Sequence, residues 1–144
     1  MIELKFKKLV PEAIVPSYTR DADACMDITS IEETIIPAGQ HRTVGTGLSC
    51  AIPEGWEMQI RGRSGLAAKH GVGVVQGIGT IDSEYRGELK IILVNNGKDD
   101  FKIEKGMRIA QFALFKVNKI LPVEVKELSN TIRGSGGFGS SGLK

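Results

Sequence analysis

The chain has 144 residues, enough for one domain with a substantial core and too few for two comfortable ones. Hydrophobic residues make up 41% and charged residues 25%, an ordinary globular composition that argues against disorder over the main body. The net charge is only +2, from 19 basic and 17 acidic side chains. This balance argues against a dedicated nucleic-acid-binding protein, although it leaves room for a local arginine cluster around one small anion.

The N-terminal residues Met1–Lys7 alternate between apolar and charged side chains, the pattern of an exposed strand. They contain no continuous apolar stretch of the kind found in signal peptides or membrane spans. We therefore expect a cytoplasmic protein with no membrane partner.

Two cysteines follow, at positions 25 and 50. They form neither a metal-ligand pair nor an obvious disulfide framework, so free buried thiols are the favoured interpretation. A disulfide between them stays open at this level.

Short extended runs separated by glycine, proline and asparagine turns continue along the chain. The predicted strands are Thr34–Ile36, Leu48–Ile52, Trp56–Ile60, Gly71–Val75, Glu88–Val94, Phe101–Ile103 and Ile109–Phe115. Repeated short strands at this spacing predict an all-β fold, a sandwich or a barrel-like jelly roll.

One segment predicts a helix, from Ser64 to His70 with a stop at Gly71. Serine is a preferred N-cap, the central alanines favour a helix, and glycine commonly follows a helix end. A helix start presents unpaired N–H groups, and Arg61 and Arg63 directly precede this one. The segment therefore predicts a phosphate-binding cradle.

The stretch Thr80–Gly87 places a carboxylate, an aromatic ring and an arginine between glycine-flanked turns. Asp82 follows the strand-like run Gly71–Val75 and precedes the run Glu88–Val94. Polar groups at the end of a hairpin can meet a ligand while both legs stay anchored in a sheet. The pattern predicts an active-site hairpin.

The last stretch, Arg133–Gly142, is rich in glycine and serine and cannot bury a core, so we expect it to be mobile. A featureless tail is the simplest interpretation. Arg133 and Phe138 favour another, because they add a phosphate-binding fork and a stacking ring to a backbone that glycines allow to wrap a ligand.

Five segments, taken together and in order, resemble the trimeric dUTP diphosphatases (dUTPases) over nearly the whole chain. They are Ala24–Ile28, Arg63–Leu66, Gly79–Gly87, Gly106–Gln111 and Arg133–Ser140. The resemblance implies an all-β jelly roll or distorted barrel with one short helix, comprising residues 1–128. It also implies a flexible C-terminal arm, residues 129–144, that closes over active sites shared between the subunits of a homotrimer.

The implied reaction is the Mg²⁺-dependent hydrolysis of dUTP to dUMP and pyrophosphate, which limits uracil incorporation into DNA and supplies dUMP for thymidylate synthesis. By this resemblance Asp82 activates the water that attacks the α-phosphorus, and Tyr85 packs under the deoxyribose and excludes a 2′-hydroxyl. The main chain around Gly79 and Lys90 would read uracil, with Thr80 and Ile81 lining the same pocket.

The resemblance also implies the phosphate site and the arm contacts. Arg63, Ser64 and Gly65 match the phosphate-binding segment, Gln111 lies near phosphate or its water shell, and Asp27 holds the metal through water. The arm residues that match are Arg133 on the γ-phosphate and Phe138 on uracil, beside Gly139, with Ser135 and Ser140 as further phosphate contacts.

Several positions depart from the family pattern or receive no role. Gln76, a predicted pocket residue, stands where asparagine is usual, and its longer amide must still reach the nucleotide or a water. The other departures are Cys25, Ile78 and Met107. Arg86 is expected to form a structural ion pair, and His41 and His70 receive no functional role.

Two other functions stay open on the sequence. A dCTP deaminase shares the fold and much of the phosphate site, but Asp82 and the segment Arg63–Gly65 follow the diphosphatase pattern. A non-catalytic nucleotide sensor is disfavoured because Asp82, Arg133 and Phe138 are all present.

Overall fold

The computed structural model describes residues 2–140, and that range contains eleven short strands and one helix. Met1 of the predicted N-terminal strand and residues 141–144 of the predicted arm lie outside the described range. Within residues 2–140, no helix has the length and apolar character needed to span a membrane. The elements are β1 (Lys5–Lys8), β2 (Met26–Thr29), β3 (Thr34–Ile36), β4 (His41–Gly45), β5 (Leu48–Ala51), β6 (Trp56–Arg61), α1 (Ser64–His70), β7 (Val72–Val74), β8 (Ile78–Ile81), β9 (Lys90–Asn95), β10 (Phe101–Ile103) and β11 (Arg108–Lys116). The expected mostly-β fold with one short helix is confirmed.

The strands pair antiparallel in four small sheets that do not close into a barrel. The largest has the order β2-β11-β6-β8, and a three-stranded sheet has the order β4-β9-β7. Two pairs, β1 with β5 and β3 with β10, complete the described set. Because most neighbours are far apart in sequence, the fold depends on long-range pairing.

Alternation along the strands builds the core between the sheets. In β9 the side chains of Ile91 and Leu93 are fully buried while those between them are only half-buried, as expected for a strand with one face on the core. In β6, Met58 and Ile60 point into the same cluster. The opposite face of β6 carries polar side chains, and this is the face that continues into the candidate site.

The active-site segment was predicted as a simple hairpin, but the structure gives it a different course. Strands β7 and β9 do pair, with Val74 opposite Leu93. Between them, however, the chain forms β8, which leaves this sheet and pairs with β6, so that Thr80 lies opposite Gln59. The residues from Asp82 onward therefore connect two different sheets.

The sequence interpretation missed three strands, β2, β4 and β8. Each is short and contains polar or glycine residues, as in β8 with its sequence Ile-Gly-Thr-Ile. Intrinsic strand propensity is weak in such runs, and pairing with β11, β9 and β6 decides their conformation.

The helix has the predicted bounds, and Gly71 adopts the left-handed conformation (φ 68°) that follows a helix end. The expectation that Ser64 caps the helix is wrong. Arg63 occupies the N-cap position with extended backbone angles, and no side chain caps the helix. The guanidinium of Arg63 instead donates to the Asp27 carboxylate.

Both cysteines are free among the described residues, so no disulfide joins them. Cys50 is buried, as expected, whereas Cys25 is only half-buried. Burial raises the pKa of the Cys50 thiol, and the nearby Arg86 charge opposes that rise.

Adjacent isoleucines of β3 test the assignment of the core. Ile36 is 0% exposed and Ile35 is 51% exposed. We expect Ile36→Ala to lower the free energy of unfolding by about 2–5 kcal/mol, because it leaves a cavity in the core. Ile35→Ala should change it by only about 0.5 kcal/mol. Urea unfolding at one protein concentration measures both, and equal losses would contradict the core described here.

Candidate active site

A polar cavity of about 450 Å³ lies between the N-terminal segment, β2, β11 and the start of α1. Its lining includes five of the predicted phosphate and metal residues, which come from three separate parts of the chain: Asp27, Arg63, Ser64, Gly65 and Gln111. Further lining residues are Thr19, Arg20, Asp23, Ala24, Cys25 and Arg108. The fold thus brings together the phosphate-side residues expected from the sequence.

Asp27 is the electrostatic centre of this cavity. Arg63 Nε donates to Asp27 Oδ1 at 2.8 Å, and Arg108 Nη1 donates to Asp27 Oδ2 at 3.1 Å. The side chains of Asp27 and Arg63 are 21% and 26% exposed, so the pair is partly shielded from water. One carboxylate therefore holds two guanidinium groups beside each other, an arrangement that can accept an anion with several oxygens.

Arg108 was missed as a site residue, although it lies inside one of the matched segments. Strict alternation along β11 would place Arg108 and Gln111 on opposite faces. The pairing with β2 contains a bulge between Arg108 and Ala110, which puts Arg108 opposite Thr29 and Gln111 opposite Asp27. Both side chains therefore lie on the Asp27 face, and a bulge of this kind has no clear sequence signal.

The entry to the helix is fixed by Gln111, whose Nε2 donates to the main-chain oxygen of Gly62 at 2.8 Å. This bond holds the chain just before Arg63, while Ser64 and Gly65 stay exposed at the cavity. Arg61 does not take part in the predicted cradle. It bonds Gln59 Oε1 and lies 4.7 Å over the Phe115 ring instead.

The predicted catalytic loop follows β8 and lines a second, larger cavity of about 660 Å³. Asp82 is exposed there, and its main-chain oxygen accepts from Tyr85 N at 3.1 Å, so one turn carries both groups. The Tyr85 hydroxyl donates to the main-chain oxygen of Glu88 at 2.8 Å. A Cβ on Gly87 would collide with the end of this ring, so glycine is required for the close approach.

Arg86 supports the same loop, though not as predicted. It forms no ion pair among the described residues. Its guanidinium donates instead to the main-chain oxygens of Ser83 and Tyr85, and these hydrogen bonds stabilise the turn.

The other predicted pocket residues surround this loop on two sheets. Gly79 is buried in β8 against Ile60, and the Gln76 amide lies beside it at the β7–β8 turn. Thr80 and Ile81 complete β8, whereas Lys90 begins β9 opposite Gly45. Gln76 therefore packs against the strand that was expected to carry the uracil-reading main chain.

A single chain keeps the two groups of residues apart. Asp27, Gln111, Arg61 and Ile78 form one row across the four-stranded sheet, which separates β2 from β8 by about 14 Å. Asp82 lies four residues beyond Ile78, about 13 Å further along. The carboxylate and the arginine cluster thus line separate cavities, and one copy of the chain does not assemble them into one site.

The predicted arm residues also lie away from both cavities. Arg133 Nε donates to Gly136 O at 2.8 Å, and Phe138 is fully exposed with φ 48°. Consecutive turns run from Thr131 to Ser140. Neither Arg133 nor Phe138 lines a described cavity.

The side chains available as metal ligands can be compared with the predicted Mg²⁺ site. Among residues 2–140, no cluster of three or more His, Cys, Asp or Glu side chains could hold a metal ion. The phosphate-side cavity offers Asp23 and Asp27, and both Asp27 oxygens already accept from arginine. Since Mg²⁺ commonly combines phosphate oxygens and waters with one or two carboxylates, this set fits an ion that arrives on a triphosphate.

Comparison with known proteins shows the family of the chain. The dUTPase family model matches residues 11–142. The deoxyuridine 5'-triphosphate nucleotidohydrolase of Clostridium acetobutylicum is 51% identical over 144 residues, covering all of this chain and 99% of that protein. The same-named protein of Clostridioides difficile is 53% identical over 143 residues, covering 99% of this chain and all of its own length. The chain belongs to the dUTPase family.

A solved structure shares the whole fold. A mutant dUTPase of Staphylococcus bacteriophage 80alpha, solved with dUpNHpp, superposes with a TM-score of 0.91 at 27% identity. The match covers 99% of this chain and all of the phage chain.

Proposed function

We propose that this protein is a dUTP diphosphatase that hydrolyses dUTP to dUMP and pyrophosphate at sites shared within a homotrimer. The observation that carries the proposal is the loop after β8, where an exposed carboxylate, Asp82, and an aromatic ring, Tyr85, are held on one turn in a chain of the dUTPase family. The reaction would limit dUTP available to DNA synthesis and supply dUMP for thymidylate synthesis. A cytoplasmic location stays a prediction from the sequence.

Asp82 is the proposed base. Its exposed carboxylate can accept the proton of a water molecule and keep that water in line with the α-phosphorus. Neighbouring groups leave it accessible, since the loop satisfies its own main chain through Tyr85 and Arg86. The water is the nucleophile, so the enzyme forms no covalent intermediate.

Selection of the base and sugar is assigned to the surroundings of this loop. Tyr85 packs under the deoxyribose, where a 2′-hydroxyl would collide with the ring. The main chain at Gly79 and Lys90, with Thr80 and Ile81 beside it, pairs with uracil. Cytosine would leave donors and acceptors unpaired, at a cost of about 1–3 kcal/mol for each buried group.

The arginine cluster is assigned to the triphosphate. Arg63, Ser64, Gly65 and Gln111 bind phosphate oxygens or their waters, and Arg108 joins them because it shares the Asp27 carboxylate with Arg63. Asp27 would hold Mg²⁺ through a water molecule. When bound, the metal neutralises phosphate charge and so makes the α-phosphorus easier to attack.

Assembly into a trimer is supported by two features of the single chain. The arginine cluster and the Asp82 loop line separate cavities, so a complete site needs residues from more than one copy. The segment after β11 also exposes a run of apolar side chains that water would not normally surround. They are Val117, Ile120, Leu121, Val123, Val125, Leu128 and Ile132.

The arm, residues 129–144, is assigned to closing the site. Arg133 would bind the γ-phosphate and Phe138 would stack on uracil beside Gly139, with Ser135 and Ser140 adding phosphate contacts. Phe138 is fully exposed in the single chain, which makes its ring available for stacking. Closure excludes water other than the nucleophile and tightens the electrostatic contacts.

The substrate test measures pyrophosphate release with Mg²⁺ from dUTP, dCTP, dTTP and UTP in parallel. We expect release from dUTP and little from the others, because base and sugar are both selected. Ammonia from dCTP would indicate a deaminase instead. No release from any of the four would indicate a nucleotide-binding protein without this activity.

Asp82→Asn tests the base. It keeps the size of the side chain and removes the proton acceptor, so kcat should fall by about 10²–10⁴-fold while dUTP binding stays measurable. Glu84→Gln, an exposed neighbour in the same loop, is the matched control and should keep its activity. Normal turnover by Asp82→Asn would refute the assigned mechanism.

Truncation after Ile132 tests the arm. Loss of residues 133–144 should reduce kcat/KM strongly, because Arg133 and Phe138 are absent, yet leave the oligomeric state unchanged in light scattering. Phe138→Ala in the full chain separates stacking from the other arm contacts. Full activity of the truncated protein would rule out closure by this segment.

A further inference from the structure

The end of the catalytic loop is bonded to the 45–47 turn, which comprises the last residue of β4 and the two residues that lead into β5. Glu88 Oε1 accepts from Gly47 N at 2.9 Å, and the buried hydroxyl of Thr46 donates to Leu89 O at 2.6 Å. Leu89 N donates to Leu48 O at 2.7 Å. Three hydrogen bonds, each between residues more than forty positions apart, thus join the turn and the first residue of β5 to the consecutive residues Glu88 and Leu89.

Glu88 carries this contact into the loop. Its main-chain oxygen accepts the Tyr85 hydroxyl at 2.8 Å, while its side chain bonds the turn. Its second carboxylate oxygen lies 3.6 Å from Lys90 Nζ. One residue therefore contacts the sugar-facing ring at one end and the turn at the other.

The turn is itself held by contacts with other parts of the chain. Gly47 has φ 66°, and a Cβ there would lie 2.8 Å from Val10, so the N-terminal segment packs tightly against it. Gly47 O accepts from Leu9 N, and Gly45 N donates to Glu32 Oε1 at 2.7 Å. A group bonded to this turn is accordingly held in one position.

We propose that Glu88 is a positioning residue for sugar selection. It fixes the position of the Tyr85 ring relative to the sugar, because it anchors the loop to the 45–47 turn. The inference rests on the proposed function, because it takes Tyr85 as the residue that meets the deoxyribose. It assigns no contact between Glu88 and substrate.

Sugar selection depends on a small structural difference between the two substrates. A deoxyribose and a ribose differ by one hydroxyl, so a shift of about 1 Å in the ring is enough to change which sugar fits. The ring is half-exposed and lies against Gly87, and among the described residues its hydroxyl bonds only Glu88 O. Movement of Glu88 therefore moves the ring.

The experiment compares kcat/KM for dUTP with kcat/KM for UTP in the full-length protein. Glu88→Ala and Glu88→Asp remove or shorten the anchor, and we expect the dUTP:UTP ratio to fall by about tenfold in each. Glu88→Gln keeps an oxygen that can accept from Gly47 N, so it should restore most of the ratio. Rescue by glutamine identifies the hydrogen bond, not the charge, as the cause.

Glu32→Ala is the matched control, because Glu32 bonds the same turn at Gly45 N and, among the described residues, forms no hydrogen bond with the loop. It should lower thermal stability and leave the ratio unchanged. A purely structural loss lowers both activities together, so the ratio separates positioning from unfolding. Gly87→Ala, which displaces the ring directly, should reduce the ratio in the same direction as Glu88→Ala.

Three results would overturn the inference. An unchanged ratio in both Glu88→Ala and Glu88→Asp, with Gly87→Ala altered, would show that Tyr85 selects the sugar without this anchor. An unchanged ratio in all three would show that the ring does not select the sugar. A wild-type protein that does not prefer dUTP would overturn the proposed function itself, and the inference with it.

Discussion

The register of the four-stranded sheet is the constraint on which the candidate site depends. Strand β11 is nine residues long and pairs with β2 through its first half and with β6 through its second half, and β6 in turn pairs with β8. Side chains alternate strictly between the two faces of a strand, so this register places Asp27 and Gln111 on one face and Phe112 in the core. It also places Asp27 and the loop that carries Asp82 at opposite edges, which supports the proposed sharing of sites between subunits.

The arginine cluster illustrates how such a sheet can hold positive charge before any anion arrives. Asp27 accepts from both Arg63 and Arg108, so its negative charge offsets the repulsion between the two neighbouring guanidinium groups. The pair is only partly buried, and its stabilisation is modest because water screens it. In the proposed function, phosphate oxygens would compete for the same donors, and Asp27 would then face the water shell of the metal.

The proposed catalytic loop combines local and distant contacts. Tyr85 and Arg86 satisfy the main chain of the loop over a few residues, which leaves the Asp82 carboxylate exposed. The distant contact runs through Glu88 to the 45–47 turn and from there to the N-terminal segment. The position of a small loop is thus set by parts of the chain that carry no reacting group.

The sequence by itself determined the β-rich class, the helix from Ser64 to His70, and the segments that resemble the dUTPases, because turn residues, alternation and motif spacing are local. It could not place Arg108, whose face depends on a bulge against β2, or the polar strand β8, whose conformation depends on pairing with β6. It also could not show that Arg63 turns to Asp27, that Arg86 braces main-chain oxygens, or that Glu88 bonds Gly47. These contacts join residues through pairing register and side-chain direction, which only the tertiary structure decides.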